Sequence, residues 1–286
     1  MPVDSTDTSK SDARPTSGVG AVTINFRAKP IVVVSYPRSG THLTIDGLRH
    51  FFRETERRQR FNQSVHDLYM NLDRLHPEHP YRATNQRFRA EFESQPQRVI
   101  VKTHCTVELN QVGGGSRPFA QAVIDAADIA CVVRDVRPVL ASYMALRPLK
   151  HPDSPTDMAT FLRSNLDDDL PPAAAWAKHV GGWLDHSGTR LVKFEDMRRS
   201  YAASIERLGR EFGLTRNGRR IRVYPKPKSI VGNKLRRVLG RQHCSSIDNL
   251  RMKIVTPNWR EVMTDDDLAL VHEQAGAVME RLGYDW

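Results

Sequence analysis

Three cysteines in 286 residues are too few for a disulfide framework, and Cys105, Cys131 and Cys244 show no CxxC spacing that would indicate a zinc site. No metal site is expected. No apolar run is long enough to span a bilayer, and residues 1–29 lack the apolar core of a secretory signal. These absences lead to the expectation of a cytoplasmic protein without a transmembrane segment, with two of the three cysteines as buried thiols. Aromatic residues are sparse at 7%. The basic run Arg216–Arg241 contains one of them, Tyr224, and no groove-reading motif, so a specific nucleic-acid partner is not indicated. Internal repeats are also missing.

The rest of the composition is that of an ordinary globular chain, with 39% hydrophobic and 27% charged residues. The length allows one large α/β domain or two small ones. A formal net charge of +10 calls for an acidic partner, whether nucleotide, polyanion or membrane surface.

Residues 1–29 are rich in Ser, Thr, Asp, Gly and Pro without periodicity and read as a disordered lead-in to a single domain over 30–286. The β-branched run Ile31–Val34 predicts a buried strand over Pro30–Ser35. Apolar periodicity at Leu43, Ile45, Leu48, Phe51 and Phe52 predicts a helix over Thr41–Arg53. The polar segment Glu54–Gln97 has a mostly helical pattern, broken by prolines around His76–Pro80. Further strands are expected over Arg98–His104, Ile129–Arg134 and Thr189–Phe194. Helices are expected over Pro138–Leu146, Ala173–His186, Ser200–Phe212 and Asp265–Leu282. Residues Arg147–Pro172 read as a lid or substrate loop around a short helical piece, and Thr215–Lys253 is basic and hard to assign. Strands alternating with helices predict a mainly parallel α/β sheet covered on both faces by helices, with ligands at the C-terminal strand ends.

Three of these strands end in residues foreign to a core: Tyr36-Pro37-Arg38-Ser39-Gly40, Lys102-Thr103-His104 and Arg134-Asp135. The first is a strand–turn–helix junction, where backbone N–H groups and a helix N-terminus converge on an anion. Arg38 adds a planar fork of donors, and Ser39 and Thr41 add hydroxyls beside the flexible Gly40. Eight residues beyond Arg134, Ser142 falls two turns into the next helix, so the pair is placed to clamp one phosphate from two sides.

These segments resemble the sulfotransferases that use 3′-phosphoadenosine 5′-phosphosulfate (PAPS). Tyr36-Pro37-Arg38-Ser39-Gly40-Thr41-His42-Leu43 is similar to that family's 5′-phosphosulfate loop, in which Lys is commoner at the Arg38 position. Val101-Lys102-Thr103-His104 matches its Lys-Thr-His segment, and Val133-Arg134 through Ser142-Tyr143 its 3′-phosphate segment. Trp176, His179, Val180 and Trp183, then Val192–Met197, resemble its middle region. Asn258–Glu261 and Val278–Tyr284 resemble its C-terminal end. The family often has Trp where Leu43 stands and Tyr where Phe194 stands. The segment Cys244–Arg251 resembles its adenine-side stretch with Ile247 for the aromatic, and the chain is short between there and Trp259.

The resemblance implies a P-loop-NTPase-like α/β fold and sulfuryl transfer from PAPS, as co-substrate, to a hydroxyl or amine. It makes His104 the general base, Arg38 the cation beside the bridging oxygen, and Lys102 the cation on the sulfuryl oxygens. Arg38, Ser39, Gly40, Thr41, His42 and Leu43 would hold the 5′ side, and Arg134 and Ser142 the 3′-phosphate. Phe194, Ser246, Arg251 and Lys253 would complete the nucleotide site. A small-molecule, carbohydrate or lipid-linked acceptor is implied, and a homodimer is compatible with the family. Sparse aromatics in Glu54–Gln97 and Arg147–Pro172 lean toward a polar acceptor, with Tyr69, Leu72, Phe161 and Leu162 as either pocket or packing residues.

Two other classes compete. A P-loop nucleotide kinase or NTPase lacks its G-x-x-x-x-G-K-[ST] pattern here, with Ser35 at the first glycine and Arg38 ahead of Gly40. The strand that would supply a magnesium ligand ends in Arg134. A non-enzymatic basic nucleic-acid-binding protein is suggested by charge alone.

Overall fold

The computed structural model describes residues 24–56, 69–75, 90–149, 151–166, 169–223 and 257–286. Five strands form one sheet: β1 (Ile31–Ser35), β2 (Met70–Asn71), β3 (Ile100–Thr103), β4 (Asp128–Val133) and β5 (Thr189–Lys193). The order is β2-β3-β1-β4-β5, and every pairing is parallel. The chain leaves β1 toward β3 on one side and returns to β4 on the other, so the crevice for ligands opens beyond the C-terminal end of β1.

Alternation along the strands divides the core into two layers. Val32, Val34, Ile129, Cys131 and Val133 face one layer. It is covered by α2 (Arg117–Ala126), α3 (Val136–Leu146), α4 (Met158–Arg163), α5 (Pro172–Asp185) and α9 (Asp265–Arg281). Ile31, Val33, Ala130 and Val132 face the other, covered by α1 (Thr41–Phe51), α6 (Phe194–Arg199) and α7 (Tyr201–Glu211). A short helix, α8 (Trp259–Val262), precedes α9. Strands buried on both faces read as continuous apolar runs, which is why β1 and β4 were conspicuous in the sequence.

The expected elements are present with shifted ends. Helix α1 stops at Phe51, and β3 is the four residues Ile100–Thr103 within the longer run. Helix α3 starts at Val136 because Asp135 caps it, its carboxylate accepting the Arg137 N–H at 2.9 Å, so Pro138 lies inside the first turn. Phe194 opens α6 and does not extend β5. Within Glu54–Gln97, residues 69–75 form β2 and a 3-10 turn in place of helix, while residues 90–94 are helical. A strand of two residues leaves no periodicity to read. Residues 24–29, expected within the lead-in, are placed: the Arg27 N–H donates to the Phe92 carbonyl at 2.9 Å, and Phe26 meets the Phe92 ring edge-on.

The stretch expected as a lid is anchored. Phe161 and Leu162 of α4 are buried in the core, and Arg163 pairs with Asp267 at 3.2 Å. Tyr69 and Leu72 are buried as well, so all four residues serve packing. Cys105 and Cys131 are buried free thiols, and burial pushes the Cys131 thiol up to about 12. Cys244 lies outside the described residues. Of the basic run, Arg219 pairs with Glu56 at 2.8 Å and Arg216 with Glu206; residues beyond 223 are outside the description. No helix among the described residues is long and apolar enough to cross a membrane.

Candidate active site

Strand register brings the three foreign ends to one level. Val34 pairs with Thr103, Ser35 with Val132, and Val133 with Lys193. Tyr36, His104, Arg134 and Phe194 therefore follow at the same edge of the sheet.

The loop after β1 turns through two left-handed residues, Arg38 (φ 74°) and Gly40 (φ 109°). Gly40 is required twice over. Its φ disfavours any side chain, and a Cβ there would lie 2.6 Å from Phe194 Cδ2. As N-cap of α1 it has no side chain with which to cap the first amides, so the helix opens on N–H groups directed at the crevice. Ser39 Oγ is buried and makes no hydrogen bond to the described residues. Thr41 Oγ1 is paired with Ser35 Oγ. The His42 ring meets Tyr69 edge-on at 5.7 Å, while Leu43 packs on the α1 side of the core and its carbonyl accepts from Tyr201 Oη at 2.9 Å.

Two guanidiniums share this space. Arg38 Nε donates to Ser142 Oγ at 2.8 Å, and Arg134 donates to the Arg38 carbonyl at 3.2 Å. The Arg134 guanidinium lies 4.6 Å from the Phe194 ring centroid. Burial, and then the charge of Arg134, lower the Arg38 pKa; burial lowers that of Arg134, with Glu195 and Asp135 opposing. Both stay cationic at neutral pH. Two adjacent half-buried cations, a buried hydroxyl without a hydrogen bond to the described residues and an uncapped helix start fit a ligand with more than one phosphate.

On the other side of the loop, His104 Nδ1 lies 2.6 Å from the Ser35 carbonyl oxygen and 3.4 Å from Ser35 Oγ. The Lys102 ammonium is buried, 3.7 Å from Asp73 Oδ2. Asp73 Oδ1 accepts from Thr103 Oγ1 and from the His104 N–H, each at 2.8 Å. The charges of Lys102 and His104 and these hydrogen bonds overcome burial and hold the Asp73 carboxyl at about 2. Behind the pair, burial holds the His179 imidazole down at about 3, and its ring meets Tyr36 edge-on at 5.7 Å.

The structure thus brings together Arg38, Ser39, Gly40, Thr41, His42, Lys102, His104, Arg134, Ser142 and Phe194, with Leu43 turned toward the core. Ser246, Arg251 and Lys253 lie outside the described residues. Sequence reasoning missed Asp73 and Ser35 as site residues. Asn71, whose side chain accepts the Asp73 N–H at 3.2 Å, was the one local sign of a turn there.

Residues 28–283 match the family profile described as the sulfotransferase domain. The chain belongs to the sulfotransferase family. Solved sulfotransferases share its fold. The mouse sulfotransferase SULT7A1 complexed with PAP aligns at 14% identity and a TM-score of 0.50, over 86% of this chain and 84% of that one. A sulfotransferase from Alicyclobacillus acidocaldarius aligns at 13% identity and a TM-score of 0.47, over 91% and 98%. No curated protein sequence matches the chain. Sulfotransferases are transferases, so the crevice at the end of β1 is where this enzyme's group transfer is to be sought.

Proposed function

We propose that this sulfotransferase takes its sulfuryl group from PAPS and delivers it to a hydroxyl of a small-molecule, carbohydrate or lipid-linked acceptor, with His104 as general base. The observation that carries this reading is the 2.6 Å contact of His104 Nδ1 with the Ser35 carbonyl. A carbonyl only accepts, so Nδ1 carries the proton and Nε2 is the basic nitrogen of the neutral ring. Imidazole is the side chain best suited to take a proton from a hydroxyl at neutral pH.

The donor would supply an activated sulfuryl group on a phosphate leaving group. The Ser39 hydroxyl and the amides of Gly40, Thr41 and His42 would hold its 5′-phosphate. Arg134, steadied by Phe194, and Ser142 would hold the 3′-phosphate, the group that separates this nucleotide from ATP. Arg38 stabilises the charge that develops on the leaving oxygen. A guanidinium keeps its proton at neutral pH, so this role is electrostatic, not acid catalysis. Lys102 steadies the sulfuryl oxygens. Ser142 Oγ accepts from Arg38 Nε at 2.8 Å, so the two residues assigned to opposite ends of the donor are in contact. The PAP carried by the mouse SULT7A1 structure is in keeping with this donor. Resemblance assigns Ser246, Arg251 and Lys253 to the adenine and 3′-phosphate side.

Calorimetry with 3′-phosphoadenosine 5′-phosphate (PAP) tests the donor site. Micromolar binding is expected, weakened at least tenfold in Arg134→Ala. An unchanged affinity in that variant would remove Arg134 from the clamp, and magnesium-dependent ATP hydrolysis without PAP binding would replace the reading with phosphoryl transfer. Screening labelled PAPS against phenols, steroids, glycans and glycolipids identifies the acceptor, with a polar, sugar-bearing one expected.

A further inference from the structure

The turn after β2 sets one carboxylate against four consecutive residues of the catalytic strand end. Asp73 Oδ1 accepts from Thr103 Oγ1 and the His104 N–H at 2.8 Å, with Cys105 Sγ at 3.4 Å, while Oδ2 faces Lys102 Nζ at 3.7 Å. Its own turn does not need these bonds, because Asn71 already closes it. The side chain is about three-quarters buried, with 24% exposed, a setting in which a carboxylate persists only with compensating donors and cations. His104 is thereby held at two points, its main chain by Asp73 and its ring by Ser35.

We propose that Asp73 is a positioning residue for sulfuryl transfer, fixing the His104 main chain and the Lys102 ammonium so that base and cation address the reacting centre together. This rests on His104 being the base. Asp73 acts through its neighbours and touches no reactant. Its charge also favours the imidazolium that forms when His104 takes the acceptor's proton, and offsets the opposing charge of Lys102. Four elements present groups to the ring: Asp73 from the turn after β2, Lys102 from β3 with the protonated thiol of Cys105 just beyond it, Ser35 from β1, and neutral His179 from α5. Asp73 is the anion of this set.

Asp73→Asn keeps the shape and an acceptor oxygen while removing the charge. Two readouts separate positioning from mere structure. The first is the His104 imidazole titration, followed by NMR on histidine-labelled protein and assigned with His104→Gln. Loss of the neighbouring anion is expected to lower its midpoint by about one pH unit. The second compares PAP affinity with the rate of PAP release from PAPS, water serving as acceptor. Affinity is expected to stay within about threefold of wild type, with the rate at least tenfold lower. An unmoved midpoint with a rate within twofold of wild type would overturn the proposal, as would a loss of PAP affinity equal to the loss of rate. If D73N does not fold, Thr103→Val removes one donor and leaves the charge. That variant should be about three- to tenfold slower with PAP affinity unchanged, and a rate within twofold of wild type contradicts the positioning role. Absence of PAP binding by the wild-type chain would refute the donor assignment alone; the imidazole midpoint would still decide the coupling of Asp73 to His104.

Discussion

Phe194→Leu separates two roles that an aromatic at a nucleotide site can have, stacking on the base or supporting a cation. In this structure the ring lies 4.6 Å from the Arg134 guanidinium and packs against Gly40. Arg134 has one further hydrogen bond here, to the Arg38 carbonyl at 3.2 Å, so the ring supplies much of its orientation. A partly desolvated cation–π contact contributes about 1–2 kcal/mol, and leucine keeps most of the packing volume. That corresponds to about a 5- to 30-fold rise in the Kd for PAP, felt through the 3′-phosphate. Calorimetry should therefore compare PAP with AMP, which lacks that phosphate. The expected result is weaker PAP binding with AMP nearly unaffected, and no additional loss when F194L is combined with R134A. Equal loss for PAP and AMP would mean that Phe194 stacks on adenine, and a PAP affinity within twofold of wild type would refute the reasoning outright.

Gly40→Ala combines an unfavourable φ of 109° with a Cβ 2.6 Å from the Phe194 ring. It should lower stability by roughly 1–3 kcal/mol and reduce PAP binding further than F194L does; thermal melts and calorimetry with wild-type values would contradict the tight loop. Asp73, at about 2 against an ordinary 3.8, stabilises the fold through its ionised form. That contribution, about 2 kcal/mol, is present in full above roughly pH 4 and is lost as pH falls through 2. Acid unfolding of D73N should be correspondingly flatter in that window, and parallel profiles for the two proteins would count against the ion pair. Asp267 closes a capping box with Thr264 at the start of α9 and pairs with Arg163 of α4. Asp267→Ala should cost about 1–2 kcal/mol and lower Tm by several degrees. A Tm shift under one degree would show that α4 is not anchored there.

Much of this architecture was legible because buried parallel strands advertise themselves. Ile31–Val34 and Ile129–Val133 are apolar on both faces and rich in β-branched residues, and the polar residues directly after them mark the C-terminal edge of the sheet. Register did the rest: once Val34 pairs with Thr103 and Ser35 with Val132, Arg38, His104 and Arg134 must share that edge. What escaped reading was long-range or too short to have a period. Strand β2 has two residues, so Asp73 looked like one more charge in a polar segment, although the fold sets it beside Lys102, 29 positions away. The packing of the short helix within Arg147–Pro172 was hidden for a similar reason. Phe161 and Leu162 are too few to reveal a buried face, and their anchor, Asp267, lies 104 residues from Arg163. Phe194 was expected at a strand end but begins a helix, and its contact with Arg134 depends on the β4–β5 pairing, which no local pattern encodes.

The central claim is that His104 takes the acceptor's proton while the arginines and the loop hold the donor. It is tested most directly by measuring sulfuryl transfer and PAP affinity side by side for wild type and His104→Ala, using whichever acceptor the labelled-sulfate screen returns. Turnover should fall by a factor of at least about 100 with the Kd for PAP within threefold of wild type, since removing a general base costs two to four orders of magnitude. Turnover within tenfold of wild type, with PAP still bound, would contradict it.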